Sequence, residues 1–327
     1  MKTMTLFFSA IAALLSSVSL LGQSAGSIPD WRSSTWLKAE NGLVLNWQRQ
    51  LATDATSSTI HIYDNVGRSL LNFDILRLVP DAKGVAIYDV SARKDQMVAV
   101  GAVYVKGTDT TPAGALLLFD FKGNLQSAIA LSVSREIQEL ELDENLNVWT
   151  LLPDAGGLDA TKSFFVAEYD RVGNFKRELV QRSSIPTHAE QIVQNATAGA
   201  ATASYDSATH TFWFWLPGST DLISIDTLTG AVARAKTGLP SLKDTAIWPL
   251  QMGREGSKSL VATFGVEANS TAAKPQLAYY MWSPERNGWS EFSPGDCNGS
   301  WLIGVQGNIH TYFRPDNSRG LCTFERP

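Results

Sequence analysis

A short motif returns along this chain roughly every fifty residues: an apolar or aromatic run, an Asp or Ser, and a turn that ends in Gly. It occurs as Tyr63-Asp64-Asn65-Val66-Gly67, Phe119-Asp120-Phe121-Lys122-Gly123, Tyr169-Asp170-Arg171-Val172-Gly173, Ile225-Asp226-Thr227-Leu228-Thr229-Gly230 and Trp282-Ser283-Pro284-Glu285-Arg286-Asn287-Gly288. Its glycines are separated by 56, 50, 57 and 58 residues. Asp opens such a turn by bonding its own backbone, and Gly supplies positive φ where the strand returns. Between these turns lie others, at Asn41-Gly42, Asp89–Asp95, Asp143–Asn147, Asp206–His210, Gly253–Gly256 and Gln306–Asn308. Two hairpins per period describe a four-stranded unit, and repeated units must stack to bury their faces.

Strand signals dominate the intervening segments. Ile60–Tyr63, Met97–Val105, Leu116–Phe119, Phe164–Tyr169 and Phe212–Leu216 are short, β-branched or aromatic, and bounded by turn residues. Helical periodicity is confined to single turns near Leu76–Val79 and His188–Gln194. The pattern predicts an all-β chain folded as a β-propeller, with six four-stranded blades starting near residues 35, 84, 137, 200, 246 and 299. Five or seven blades also fit the uneven turn spacing, and a pair of β-sandwiches is the rival architecture. The sixth unit runs out after three strands, and the stretch near Ser27–Ser34 is the expected donor of its fourth, closing the ring without an open edge.

The turns at Asp120–Asn124 and Asp170–Asn174, with Asp143–Trp149, make this chain resemble the secreted bacterial six-bladed propellers related to NHL-repeat proteins. The resemblance speaks for the fold rather than for an activity.

Residues 1–25 read as a secretory signal peptide: Lys2, an apolar stretch from Leu6 to Leu21, then small residues suited to cleavage after Gly22 or Ala25. Residues 26–327 then form one domain, exported to a periplasmic or extracellular compartment, with no membrane span once the signal is removed. An oxidising compartment lets Cys297 and Cys322 pair as a structural disulfide, two separately buried thiols being the alternative. With 27 Lys and Arg against 32 Asp and Glu, the chain lacks the basic face of a nucleic-acid binder.

No catalytic constellation stands out. Gly-x-Ser-x-Gly and phosphate loops do not occur, and His61, His188, His210 and His310 fall in separate units, so neither a metal nor another cofactor is expected. Lactonase and phosphotriesterase-like propellers, which this architecture resembles, hold Ca²⁺ in the channel. Of the expected channel-mouth positions here, only Glu136 is a carboxylate. Glu139 and Glu141 alternate with Leu140 and Leu142 and could serve glycoside hydrolysis, but read better as a solvated strand face. The aromatic run Phe212–Trp215 reads as packing between blades rather than a sugar platform.

The longer connections should mark the functional rim. The candidate ligand-binding residues are the junction side chains Arg135, Glu136, His188, Glu190, Lys243 and Asp244. The sequence therefore points to a monomeric, non-enzymatic scaffold for an unidentified protein, glycan or small ligand. A hydrolase or lyase acting on a lactone or carbohydrate, possibly Ca²⁺-dependent, is the alternative.

Overall fold

The computed structural model describes residues 35–49, 52, 58–107, 113–131, 136–153, 159, 161–187, 189, 202–216, 218–241, 247–255, 259–266, 276–314 and 320–326. It is a six-bladed β-propeller. Blade 1 comprises β1 (Thr35–Glu40), β2 (Leu43–Gln48), β3 (Thr59–Asp64) and β4 (Ser69–Asp74), followed by a single helical turn, α1 (Ile75–Leu78). Blade 2 comprises β5 (Ala82–Arg93), β6 (Met97–Lys106), β7 (Ala113–Asp120) and β8 (Leu125–Ala130). Blade 3 holds β9 (Glu139–Leu142), β10 (Val148–Leu151), β11 (Phe164–Tyr169) and β12 (Phe175–Gln181). In blade 4 these are β13 (Thr202–Asp206), β14 (Thr211–Leu216), β15 (Asp221–Asp226) and β16 (Val232–Lys236). Blade 5 has β17 (Ile247–Glu255), β18 (Ser259–Val266), β19 (Gln276–Ser283) and β20 (Gly288–Glu291). Blade 6 has three described strands, β21 (Trp301–Gln306), β22 (Ile309–Phe313) and β23 (Leu321–Glu325).

Every sheet is an antiparallel meander. The first strands β1, β5, β9, β13, β17 and β21 form the inner ring, in which β21 returns to β1. The stretch expected to complete blade 6, Ser27–Ser34, lies outside the described residues, as does the candidate signal peptide.

The core is divided by blade interfaces. Leu45, Trp47 and Ile60 pack against Val98, Val100 and Leu117 between blades 1 and 2. Phe165 meets Phe214 between blades 3 and 4, and Leu37, Val44 and Tyr63 meet Ile303 and Phe313 where blade 6 closes on blade 1. Strand β14 shows why its sequence is aromatic on both faces: Phe212 and Phe214 face blade 3, while Trp213 and Trp215 face blade 5. All four are fully buried, so this run is packing, as its sequence suggested.

At the closing interface the backbones approach closely. A Cβ on Gly304 of β21 would collide with the carbonyl oxygen of Ala39 in β1, so only Gly fits. The Cys297–Cys322 disulfide is formed, tying the chain before β21 to β23.

The turn chemistry repeats with the blades. Asp120 Oδ1 accepts from Lys122 N and Asn124 N, both at 2.9 Å, and its Oδ2 accepts from Asn124 Nδ2 at 2.8 Å. Asp170 and Asp143 make the same set with Asn174 and Asn147. Two turn readings change. Positive φ in the last Gly-ended turn falls on Asn287 rather than Gly288. Asp89 is not in a turn, because β5 continues to Arg93 before reversing.

Candidate channel site

Inner strands expose one backbone edge to the channel, where N–H and C=O groups need partners. Side chains from the preceding blade supply them. Asp89 Oδ2 in β5 accepts from Leu140 N of β9 at 2.7 Å, and Ser91 Oγ accepts from Leu142 N at 3.0 Å. Arg93 Nη2 donates to the Leu142 carbonyl at 3.1 Å. From β1, Glu40 Oε1 accepts from Ala92 N at 2.5 Å and from Ser91 Oγ at 2.8 Å. Asn41 Nδ2 donates to the Ala92 carbonyl at 3.1 Å.

Lys38 is the centre of this arrangement. Its ammonium crosses from blade 1 to blade 3, donating to the Leu140 carbonyl at 2.9 Å and reaching Glu141 Oε1 at 2.8 Å. Asp89 Oδ2 lies 3.2 Å away and Glu40 Oε2 3.4 Å away. Burial alone would lower the Lys38 pKa, but the charges of Asp89, Glu141, Glu40 and Glu139 together hold it well above the ordinary range. Burial pushes the Glu139 and Glu141 carboxyls well up, and the Asp89 charge adds to both. Asp89 is also raised by burial, against the opposing pull of Lys38. Glu139 and Asp89 both line the same cavity, and the Asp89 charge adds to the rise at Glu139.

These findings correct the reading of Glu139 and Glu141 as a solvated strand face: Glu141 is 3% exposed and Glu139 half-buried. The physical reason is the ring. The polar face of β9 turns toward the channel, where Lys38 compensates it.

Above the lysine, toward the starts of the inner strands, lies a cavity of about 30 Å³, room for roughly two waters. Trp36, Trp47, Arg49, Tyr88, Asp89, Glu139 and Gln251 are among its walls. The Arg49 guanidinium stacks between two rings, its Cζ 4.9 Å from the Trp36 ring centre and 5.0 Å from that of Tyr88. It also donates to Gln138 Oε1. Burial lowers its pKa, against the pull of Glu139 and Asp89. The Tyr88 phenol is raised by burial and by the charge of Glu136.

Of the candidate ligand-binding residues, Glu136 is described, half-buried in the β8–β9 connection beside Tyr88. Arg135, His188, Glu190, Lys243 and Asp244 lie outside the described residues. Sequence reasoning missed Lys38, Glu40, Arg49, Tyr88 and Asp89. A usable signal was present: the inner strands carry charged or polar side chains at alternate positions, as in Lys38-Ala39-Glu40, Asp89-Val90-Ser91 and Glu139-Leu140-Glu141.

Among the described residues, no helix is long and apolar enough to cross a membrane. No protein-family profile matches the chain, and no curated protein is similar to it. Solved structures are similar in fold. A member of the DUF4221 family from Bacteroides vulgatus is 10% identical, with a TM-score of 0.50, covering 89% of this chain and 91% of its own. A structural genomics protein of unknown function from Bacteroides thetaiotaomicron is 11% identical, with a TM-score of 0.50, covering 93% of this chain and 73% of its own. At such identities the likeness concerns the fold alone.

Proposed function

We propose that this protein is an exported, non-enzymatic propeller that binds a protein, glycan or small ligand through the rim formed by its blade junctions. One observation carries the reading: the channel's charged side chains Lys38, Asp89 and Glu40 are engaged in holding neighbouring inner strands together, which leaves the junction connections to meet a ligand. Arg135, Glu136, His188, Glu190, Lys243 and Asp244 are the junction residues that would meet the ligand. Its disulfide suits an oxidising compartment.

Arrays of glycans and peptides test this with the mature protein. The expected ligand loses binding on Glu136→Gln and Lys243→Ala, and keeps it on Lys122→Ala at the opposite rim. A ligand with the reverse sensitivity would overturn the proposal.

The second reading, a hydrolase or lyase acting on a lactone or carbohydrate, draws on the two carboxyl groups Asp89 and Glu139 that line the cavity. Calorimetric titration with Ca²⁺ separates the two. Stoichiometric binding with a large rise in melting temperature favours the enzyme, and its absence favours the scaffold.

A further inference from the structure

The third strand of a blade normally lies between two neighbours. In β3, β7, β11 and β15 at least four residues are buried, whereas none is buried in β23. Arg326 N donates to the Asn308 carbonyl and Arg314 N to the Gly320 carbonyl, both at 3.0 Å. The alternation of an antiparallel pair then turns the backbone groups of Cys322 and Phe324 toward β22, and those of Leu321, Thr323 and Glu325 outward. Among the described residues no strand pairs with that outer edge. The strand has neither Lys nor Pro to blunt it, and its register with β22 is regular.

The chain's own expected donor is badly placed to cover it. A fourth strand lies three strand spacings out from β21, about 14 Å. In the other blades the chain takes seven to twenty residues to return from the fourth strand to the next first strand, the shortest connection being Ile75–Asp81. Ser27–Ser34 adjoins β1 directly, with no residue left for that return. Even the shortest connection would require the donor to end by Ser27. A six-residue strand ending there, Gly22–Ser27, spans both expected signal-cleavage points, and cleavage at either cuts through it.

We propose that the outer edge of β23 is a docking site for an extended segment of a partner protein, which adds as the antiparallel fourth strand of blade 6. Main-chain hydrogen bonds to Leu321, Thr323 and Glu325 hold it. Its side chains alternate between two apolar faces, one beside Phe324 and Met281 toward blade 5, the other beside Leu321 and Tyr63 toward blade 1. The partner segment therefore carries apolar residues at alternate positions, as β4 and β8 do when they pack Leu71, Leu125 and Ile129 against the cores of their blades. This surface is separate from the junction rim, so its failure leaves the rim proposal standing.

The test follows amide hydrogen exchange in the mature protein, with the capped peptide Arg68–Asp74, the sequence of β4, as probe. Without peptide, the amides of Leu321, Thr323 and Glu325 should exchange freely while those of Cys322 and Phe324 are protected. Saturating peptide should slow the first three at least about tenfold. Two versions of the peptide, N-methylated on alternate amides in the two possible phases, serve as controls, and at least one should lose the effect. Thr323→Pro removes an outward N–H, which an edge strand tolerates, and should abolish the response while keeping the wild-type melting temperature. Should that variant fail to fold, the methylated peptides carry the test. Equal responses to all three peptides overturn the inference, as does a full response in folded Thr323→Pro or no response in the wild type. Protection of the three amides before peptide is added also overturns it: the occupant is then the chain itself or, where protection grows with protein concentration, a second copy.

Discussion

Replacing Lys38 by Met keeps the length of the side chain and removes its charge. Three carboxylate oxygens lie within 3.4 Å of that ammonium, and the Leu140 carbonyl depends on it. Lys38 is 12% exposed and its carboxylate partners 9% or less, so solvent screens little of the loss. Breaking a buried ion pair from one side costs about 3–5 kcal/mol, because the remaining charge stays buried. In a chain of this size that corresponds to a fall in Tm of roughly 6–10 °C. Thermal unfolding followed by circular dichroism at pH 8 and pH 5 reads both the size and the origin of the effect. Burial raises the carboxyls of Glu139 and Glu141, so these groups take up protons as the pH falls and the uncompensated charge shrinks. The deficit should therefore narrow at pH 5. A loss below about 2 °C at pH 8, or an equal loss at both pH values, would refute the account of the channel as an electrostatic centre. Lys122→Met on an exposed turn is the control and should stay within about 0.5 kcal/mol of wild type.

Glu139→Gln tests the sign of the same linkage. A carboxyl whose folded pKa is raised contributes stability below its unfolded value near 4.3 and loses it as pH climbs through the folded pKa. Wild-type Tm should fall from pH 5 upward, and the variant should show a flatter profile; parallel profiles would contradict it. Gly304→Val should abolish ring closure, measured as loss of the monomeric peak in size-exclusion chromatography and of cooperative melting, because the added side chain meets the Ala39 backbone. Cys322→Ser should cost about 3 kcal/mol, the entropy of a loop spanning 25 residues, and reduction of the wild type should reproduce most of that loss in denaturant titrations.

The blades were legible because each depends on local chemistry. Predicted unit starts near 35, 84, 137, 200, 246 and 299 compare with inner strands beginning at Thr35, Ala82, Glu139, Thr202, Ile247 and Trp301. Turns such as Asp120–Asn124 declare themselves within five residues, since donor and acceptor are neighbours in the chain. The channel site obeys no such rule. Lys38 meets Asp89 across 51 residues and Leu140 across 102, one and two repeats away. Those contacts exist only once the ring has brought equivalent strands side by side. The same distance explains the error at Glu139 and Glu141, whose alternation with leucines is indistinguishable locally from a strand with one wet face. Asp89 was assigned to a turn for a related reason: in Asp89–Asp95 the turn-forming composition begins before the backbone actually reverses.

The stitching between inner strands also gives the ring a mechanical grain. Side chains of β1 fasten the edge of β5, those of β5 fasten the edge of β9, and Lys38 spans all three. A hoop built this way does not share load evenly. The arc from blade 1 to blade 3 behaves as a stiff segment, whereas the seam between β21 and β1 is held by apolar packing, the close approach at Gly304 and a hydrogen bond at an exposed turn, from Gly42 N to Gln306 Oε1 at 3.2 Å. Strain imposed by a ligand pressing on the junction rim would therefore be passed around the stiff arc and released at the seam.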